Sequence, residues 1–536
     1  MVIIGKSTDA WPVHPLLFAL GYVSTEFSLH ADIYKASEVW FPLLVSIGMA
    51  EVVFLLFRFW KSDLHAAGVW SSAWVVLLAF VGSWASRSPS TFHLILLGVM
   101  TCGIFVLAKR MTRFRAQATR SLNIGALIFL SAQSIILVGD LYFLPGLPVA
   151  ETTSSFPTTT RPTATTTPNI FHIVMDAYSR DDVLQTVYGY DNTPFSGTLK
   201  ALGFQVFEDA HAPFNQTLLT MASVFSGTYV DQAMLQHQYR DASQLRQSLG
   251  RFLDDGAVST WLRRLGYRIS ATTPGVALFR FRNVDRWERP LLEETNLFAL
   301  TLYDTSLFGW MDRQLFDGAV QHWLFRYSRS DLYLNDMIRH VLPLGAPEDL
   351  PAPYLVYRHV LAPHPPFTLD HSGHDIQSEM FSTISDGEYA HRHSPGLREA
   401  YIKGYVEKLK FANRELLVGL KRILKEAPRP FVIFLHGDHG GGAYLTQESV
   451  KRTCIKERYS TLMAVYASED GLHHSLVNGL RQSPTPVNFY RALYNAMHQA
   501  SYPMLPDQSQ FASWSEPWIL TPVSSEARDE ECTIRR

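Results

Sequence analysis

The 536-residue chain has only three cysteines, Cys102, Cys454 and Cys532. That is too few for a disulfide framework, and none has the C-x-x-C spacing of a zinc site. Excess charge of either sign is also missing, since 47 Lys plus Arg stand against 49 Asp plus Glu. Without a basic surplus there is no electrostatic case for a nucleic-acid partner. Internal repeats are lacking too. Charge is scarcest at the N-terminus, where 17 of the first 150 residues are charged against 79 of the remaining 386. The chain therefore divides into a membrane-like part and a globular-like part.

The uncharged runs are Ala10–Thr25, Leu64–Ser86, Ser88–Ala108 and Leu122–Val138, and Val39–Phe57 is broken only by Glu51. A spanning helix needs about 20 mostly apolar residues. Five transmembrane helices are expected, the first being short and containing His14. One cleavable signal segment would not account for five runs. Arg58 and Lys61 follow the second run, and Lys109, Arg110, Arg113, Arg115 and Arg120 precede the fifth. Basic loops stay cytoplasmic, so an odd number of crossings puts the C-terminal part outside. The expected division is a membrane domain over 1–145, a linker over 146–168 and an external domain over 169–536. The linker stretch 151–168 has nine Thr and three Pro in 18 residues. It reads as an extended tether that builds no core.

In the external part, Asn169–Asp176, Tyr354–Ala362, Pro430–His436 and Thr461–Ala467 are near-continuous apolar runs. Such runs suit strands covered on both faces. Helical spacing between them, as over Leu397–Lys425, predicts an α/β sandwich. Ligands in such folds bind beyond the carboxyl ends of the strands, so the polar residues there are the candidates. Asp176 ends the first run and reads as a helix cap or a metal ligand. Asp438 and His439 follow the third in HGDHGGG, where glycines permit a sharp turn and both side chains can face one cation. The segment FNQTLLTMASVFSG (214–227) predicts a short helix opening at Thr217, which is either a cap or part of an anion site. In YRHVLAPHPPF (357–367), His359 and His364 can donate a proton or bind an anionic oxygen, or simply sit in a surface loop. His371, His374, His391 and His393 read as loop residues.

Taken in order, Asp176, Thr217, His364 and the Asp438–His439 pair resemble the sulfatase-like branch of the alkaline phosphatase superfamily. Residues 169–176 resemble its opening strand, which ends on a metal-binding acid. TLLTMASVFSG resembles its nucleophile segment, with Thr217 at the nucleophile position. GDHG and APHPPF resemble segments of the lipoteichoic acid synthases and lipid A phosphoethanolamine transferases, which also carry about five membrane helices. The resemblance covers roughly 169–500. Two departures stand out. No Cys or Ser occurs in the C/S-x-P-x-R context of true sulfatases, so their formylglycine nucleophile cannot form. The first-strand acid is Asp176, where the lipid phosphotransferases have Glu.

The resemblance implies one divalent ion, Zn²⁺ or Mn²⁺, held by Asp176, Thr217, Asp438 and His439. It implies that Thr217 attacks a phosphodiester while His364 or His359 binds the phosphoryl oxygen or protonates the leaving group. Tyr178, Arg180 and Asn215 flank the site as candidate substrate contacts. A membrane-tethered site implies a lipid-linked donor and a cell-envelope glycan acceptor. The rival expectations are an external phosphodiesterase, for which water is the acceptor, a sulfatase-like hydrolase, and a non-catalytic envelope scaffold. Cys454 and Cys532 both lie on the oxidising side, where a bridge is permitted.

Overall fold

A computed structural model describes residues 11–29, 36–61, 63–77, 102–103, 105–138, 156, 167–231, 235, 242–272, 280–289, 296, 298–299, 302–303, 306–316, 320, 330–376, 386–388 and 397–532. The chain forms two units, one of residues 1–146 with 295–329, the other of 147–294 with 330–536. Residues 295–329, read from the sequence as part of the external domain, thus group with the N-terminal unit.

In the first unit, α1 (His14–Leu29), α2 (Trp40–Lys61), α3 (Leu64–Val76) and α4 (Arg115–Val138) pack on one another. Asn123 of α4 opens α1, its Oδ1 accepting from the Val13 and His14 N–H groups. The outer faces are bare and apolar: Leu44, Leu56, Phe59 and Trp60 of α2 are exposed, as are Ile128 and Ile135 of α4. Among the described residues one helix, Trp40–Trp60, is long and apolar enough to cross a membrane. The five expected spans are therefore not all recovered. The helix at the first run has 16 residues and the described part of the third has 13, both short for a bilayer. The fourth run lies largely outside the described residues.

The second unit is built on a seven-stranded sheet. Its strands are β1 (Asn169–Met175), β2 (Gln205–Val206), β3 (Arg268–Thr272), β4 (Arg286–Glu288), β5 (Tyr354–Val360), β6 (Phe431–His436) and β7 (Met463–Ala467), in the order β2-β7-β6-β1-β5-β3-β4. β6, β1, β5, β3 and β4 are parallel, while β7 runs antiparallel to both of its neighbours, β6 and the edge strand β2. All four strands expected from the sequence are present. β1, β5 and β6 are buried along their whole length, which is why alternation is absent from their sequences. Arg358 is tolerated inside β5 because Glu288 and the Leu344 and Gly345 carbonyls take its guanidinium.

Each sheet face carries its own core. Helix α5 (Thr217–Ser226) lies on one face, where Met221, Val224 and Phe225 meet Ile170, Val174, Tyr357 and Phe434. Helix α6 (Leu397–Glu426) covers the other, burying Tyr401, Tyr405, Leu409, Ala412, Leu416, Leu420 and Ile423. That spacing of three and four residues makes one stripe of a 3.6-residue helix. Phe156, from the Thr- and Pro-rich linker, is buried against Trp261, Tyr494 and Tyr502. At its one aromatic residue the linker is thus packed against this unit. Helix α7 (Ile455–Tyr459) begins at Cys454, which is paired with Cys532 at a Cα separation of 5.4 Å. A short hairpin, β8 (Ser509–Ala512) with β9 (Leu520–Val523), adjoins the start of α5.

Candidate metal and phosphoryl-transfer site

Three adjacent parallel strands end side by side and place Asp438, Asp176 and His359 at one edge of the sheet. Each of these residues offers a ligand atom, and the three atoms lie within 4.8 Å of one another. The loop after β6 adds His439 and the first turn of α5 adds Thr217. The His439 Nε2 is 3.1 Å from Thr217 Oγ1, 3.5 Å from Asp438 Oδ2 and 3.6 Å from Asp176 Oδ1. A hydrogen bond from Thr220 Oγ1, one turn into α5, to the Asp438 carbonyl at 3.1 Å ties helix to loop.

The hydrogen bonds fix which atoms are lone pairs. His439 Nδ1 lies 3.0 Å from the Gly440 carbonyl and must donate to it, which leaves Nε2 as an acceptor in the neutral ring. Burial lowers the His439 pKa, and the neighbouring Arg458 lowers it further, so the ring stays neutral. Asp438 Oδ1 accepts the Ala177 N–H and Asp176 Oδ2 lies 3.2 Å from His359 Nε2. Their other oxygens, Asp176 Oδ1 and Asp438 Oδ2, are buried with no hydrogen-bond partner among the described residues. Two carboxylate oxygens and an imidazole lone pair thus converge with a single hydroxyl as donor. Burying unpaired acceptors is costly, and a divalent cation removes that cost. The donor set of oxygens and one nitrogen fits such an ion. Burial alone would raise the Asp176 carboxyl, but the facing His364 and the His359 hydrogen bond outweigh it and hold it well below the usual range.

The glycines after His439 are required by close approaches. A Cβ on Gly440 would fall 1.9 Å from the Glu457 carbonyl, and one on Gly441 would fall 1.8 Å from the Tyr188 hydroxyl. Just after Asp176, Ala177 sits in the left-handed region at φ 64°, an uncommon conformation for a residue with a Cβ.

The remaining candidates separate. His359 Nδ1 is 3.2 Å from the Tyr357 hydroxyl, and its Nε2 contacts Asp176, so it belongs to the cation cluster. His364 lies beside that cluster: its Nδ1 donates to the Pro365 carbonyl, and its Nε2 is 4.0 Å from Asp386 Oδ2. Its ring centroid is 6.2 Å from that of His439. The three expected substrate contacts are instead committed to the protein. The Tyr178 hydroxyl donates to Asn413 from a fully buried ring. Arg180 is taken by Asp182 and the Ala210 carbonyl. The Asn215 amide pairs with both backbone groups of Ala512 on β8. Proximity in sequence to Asp176 and Thr217 did not carry these side chains into the site.

Asp386, Arg458 and Glu457 were not singled out in the sequence, yet they frame the cluster. Glu457 accepts from the Ala443 and Tyr444 N–H groups and from Tyr188, and burial raises its pKa to about 7. Asp386 is paired with Arg458 at 2.8 Å. None of them stands in a spacing that marks a motif.

No family model matches the chain, and no curated protein does. Similar solved structures include the C-terminal periplasmic domain of EcEptC from Escherichia coli, 13% identical, with a TM-score of 0.42 over 68% of this chain and 94% of that one. Another is the integral membrane lipooligosaccharide phosphoethanolamine transferase A of Neisseria meningitidis, 10% identical, with a TM-score of 0.38 over 90% of this chain and 94% of that one. A third is the phosphonate monoester hydrolase of Agrobacterium radiobacter, 14% identical, with a TM-score of 0.35 over 64% and 80%.

Proposed function

We propose that the chain is a membrane-anchored, metal-dependent phosphotransferase in which Thr217 carries the transferred group. The observation behind this reading is the convergence of Asp176 Oδ1, Asp438 Oδ2 and the Thr217 hydroxyl on His439 Nε2. A bound Zn²⁺ or Mn²⁺ would act there as a Lewis acid, lowering the pKa of that hydroxyl and offsetting phosphoryl charge. Asp176, Asp438, His439 and Thr217 would hold it, with His359 bracing Asp176. With its proton released to solvent as the ion binds, Thr217 Oγ1 would attack phosphorus in a phosphodiester, and the bond to the donor's leaving oxygen would break as that oxygen takes up a proton. The N-terminal N–H groups of α5 favour negative charge at that position. In its doubly protonated form His364, its Nδ1–H held by the Pro365 carbonyl, would present Nε2–H to the leaving or phosphoryl oxygen. An acceptor hydroxyl then takes the group from phospho-Thr217 and restores the free side chain.

The membrane unit favours a lipid-linked donor and an envelope glycan acceptor, with the catalytic unit on the outer side of a multi-pass anchor. Hydrolysis to water shares the first half-reaction, and product analysis with and without a glycan acceptor separates the two. Mass spectrometry of the Thr217 peptide, from protein purified out of its own membrane, tests the covalent step. The expected result is an adduct whose mass identifies the group. Full activity in Thr217→Ala would remove Thr217 from the reaction.

A further inference from the structure

The short helix α7 carries a buried guanidinium that reaches both halves of the site. Arg458 Nε and Nη2 donate to the Asn215 carbonyl at 3.0 and 2.8 Å, two residues before Thr217. Its Nη1 donates to the Gly440 carbonyl at 3.0 Å and contacts Gly441 O at 3.4 Å, both just after His439. The Gly440 carbonyl is the one that accepts His439 Nδ1–H and so fixes its tautomer. Asp386 Oδ2 completes the set at 2.8 Å. The other Asp386 oxygen accepts from the Tyr401 hydroxyl, which in turn accepts the Gly442 N–H.

We propose that Arg458, held by Asp386, is a positioning residue that sets the separation and orientation of Thr217 and His439. The proposal rests on the reading of Thr217 as nucleophile given above. Three features point the same way. Arg458 is 3% exposed and each of its guanidinium nitrogens donates within the protein, so it is not a substrate contact. A planar fork of five donors can serve carbonyls on two segments at once, which an ammonium cannot do in the same geometry. A buried ion pair is poor evidence for stability when set against an apolar replacement, so placement is the more specific role for this one. α7 is itself anchored, because the disulfide partner Cys454 caps it and Glu457 holds the Ala443 and Tyr444 N–H groups.

The test uses the full chain in detergent, as wild type, Arg458→Met, Arg458→Lys and Asp386→Asn. Three quantities are read: the Zn²⁺ dissociation constant against a chromophoric chelator, kcat and KM on bis(p-nitrophenyl) phosphate, and the melting temperature. Arg458→Met is expected to weaken Zn²⁺ binding about 10- to 100-fold, the usual scale for residues that orient metal ligands. It should lower kcat about 100-fold with KM within about threefold, as expected when substrate binding is kept and the reacting groups are misplaced. Arg458→Lys should recover part of both losses, and Asp386→Asn should show both in smaller degree. A folded Arg458→Met with wild-type Zn²⁺ affinity and kcat overturns the proposal. If that variant does not fold, an Asp386→Asn protein unchanged in both quantities overturns it instead. A wild type that binds no Zn²⁺ and turns over independently of Thr217 would overturn the underlying reading, and this proposal with it. Wild-type binding and turnover with indifferent variants would sink only the positioning role.

Discussion

Two buried histidine clusters lie on the same strands of this molecule and differ in how their hydrogen bonds close. His172 of β1 and His436 of β6 meet Nε2 to Nε2 at 2.9 Å. Because His436 Nδ1 must donate to the Gly437 carbonyl, its Nε2 accepts from His172, whose Nδ1 then accepts from the Tyr490 hydroxyl at 2.9 Å. Every lone pair in that chain faces a proton. Three residues beyond His436, His439 applies the same rule at the Gly440 carbonyl and reaches the opposite result. Its Nε2 accepts from the Thr217 hydroxyl and faces two carboxylate oxygens that have no hydrogen-bond partner among the described residues. A buried histidine therefore does not by itself mark a site, whereas surplus acceptors do.

The sharpest way to break this contrast is to substitute one member of each cluster. Asp438→Asn keeps an acceptor for the Ala177 N–H and removes one negative charge from the open cluster. Zn²⁺ affinity should fall about 10³-fold or more, since the ligand set loses a charged member, while the metal-free protein should melt no lower than wild type. His172→Phe should do the reverse. Zn²⁺ affinity should stay within about threefold, and stability should drop by about 2 kcal/mol because His436 and Tyr490 lose their partner. Zn²⁺ titration and thermal melting of both variants check this. Equal metal affinities in the two would dissolve the distinction.

His359 sharpens the contrast from the edge of the open cluster. It braces Asp176 Oδ2 at 3.2 Å and is itself braced by the Tyr357 hydroxyl. His359→Gln should weaken Zn²⁺ binding about 10- to 100-fold without abolishing it. A loss as large as that of Asp438→Asn would make His359 a direct ligand instead.

Much of this was legible beforehand because it follows from backbone rules. Uninterrupted apolar runs marked β1, β5 and β6, and the carboxyl-end rule for parallel sheets then singled out Asp176, His359 and Asp438–His439. The glycine run was read as permitting a sharp turn, whereas what requires Gly440 and Gly441 is the close approach of the Glu457 carbonyl and the Tyr188 hydroxyl. Tyr178, Arg180 and Asn215 misled because adjacency along the chain says nothing about where a side chain points. Arg458 and Asp386 were invisible for a related reason. Their partners are carbonyls and one another, and a carbonyl leaves no trace in residue identity. The Cys454–Cys532 pairing was permitted by compartment alone, and only the fold brings the two residues together.

The closed pair also predicts a pH effect. Burial lowers the His436 pKa to about 4, and that of His172 well below its ordinary value. Groups with a depressed folded-state pKa stabilise fully above the unfolded value near 6.5 and lose that contribution as pH falls through the folded value. For His436 the loss between pH 6.5 and about 4 amounts to about 3 kcal/mol. Melting of the metal-free chain should therefore be flat from pH 8 to about 6.5 and fall steadily below it. A melting temperature that holds constant down to pH 4.5 would mean that the pair is not kept neutral.

The smallest expected effect concerns Ala177, the left-handed residue beside Asp176. Ala177 holds φ at 64° while its N–H reaches Asp438 Oδ1 at 3.2 Å and its carbonyl accepts from the Tyr405 hydroxyl at 2.7 Å. Left-handed backbone costs a residue with a Cβ about 1–2 kcal/mol, and glycine escapes that cost but gives back about 0.4–1 kcal/mol through its freer unfolded chain. Ala177→Gly should therefore raise stability by about 0.5 kcal/mol, a shift of one or two degrees. The same change frees the hinge between Asp176 and the loop that receives it. If the strain serves only to let the chain turn, Zn²⁺ affinity and kcat stay at wild-type values while the melting temperature rises. If it holds Asp176 Oδ1 toward His439, affinity falls several-fold despite the added stability. Only the second outcome would place Ala177 among the residues that keep the open cluster open.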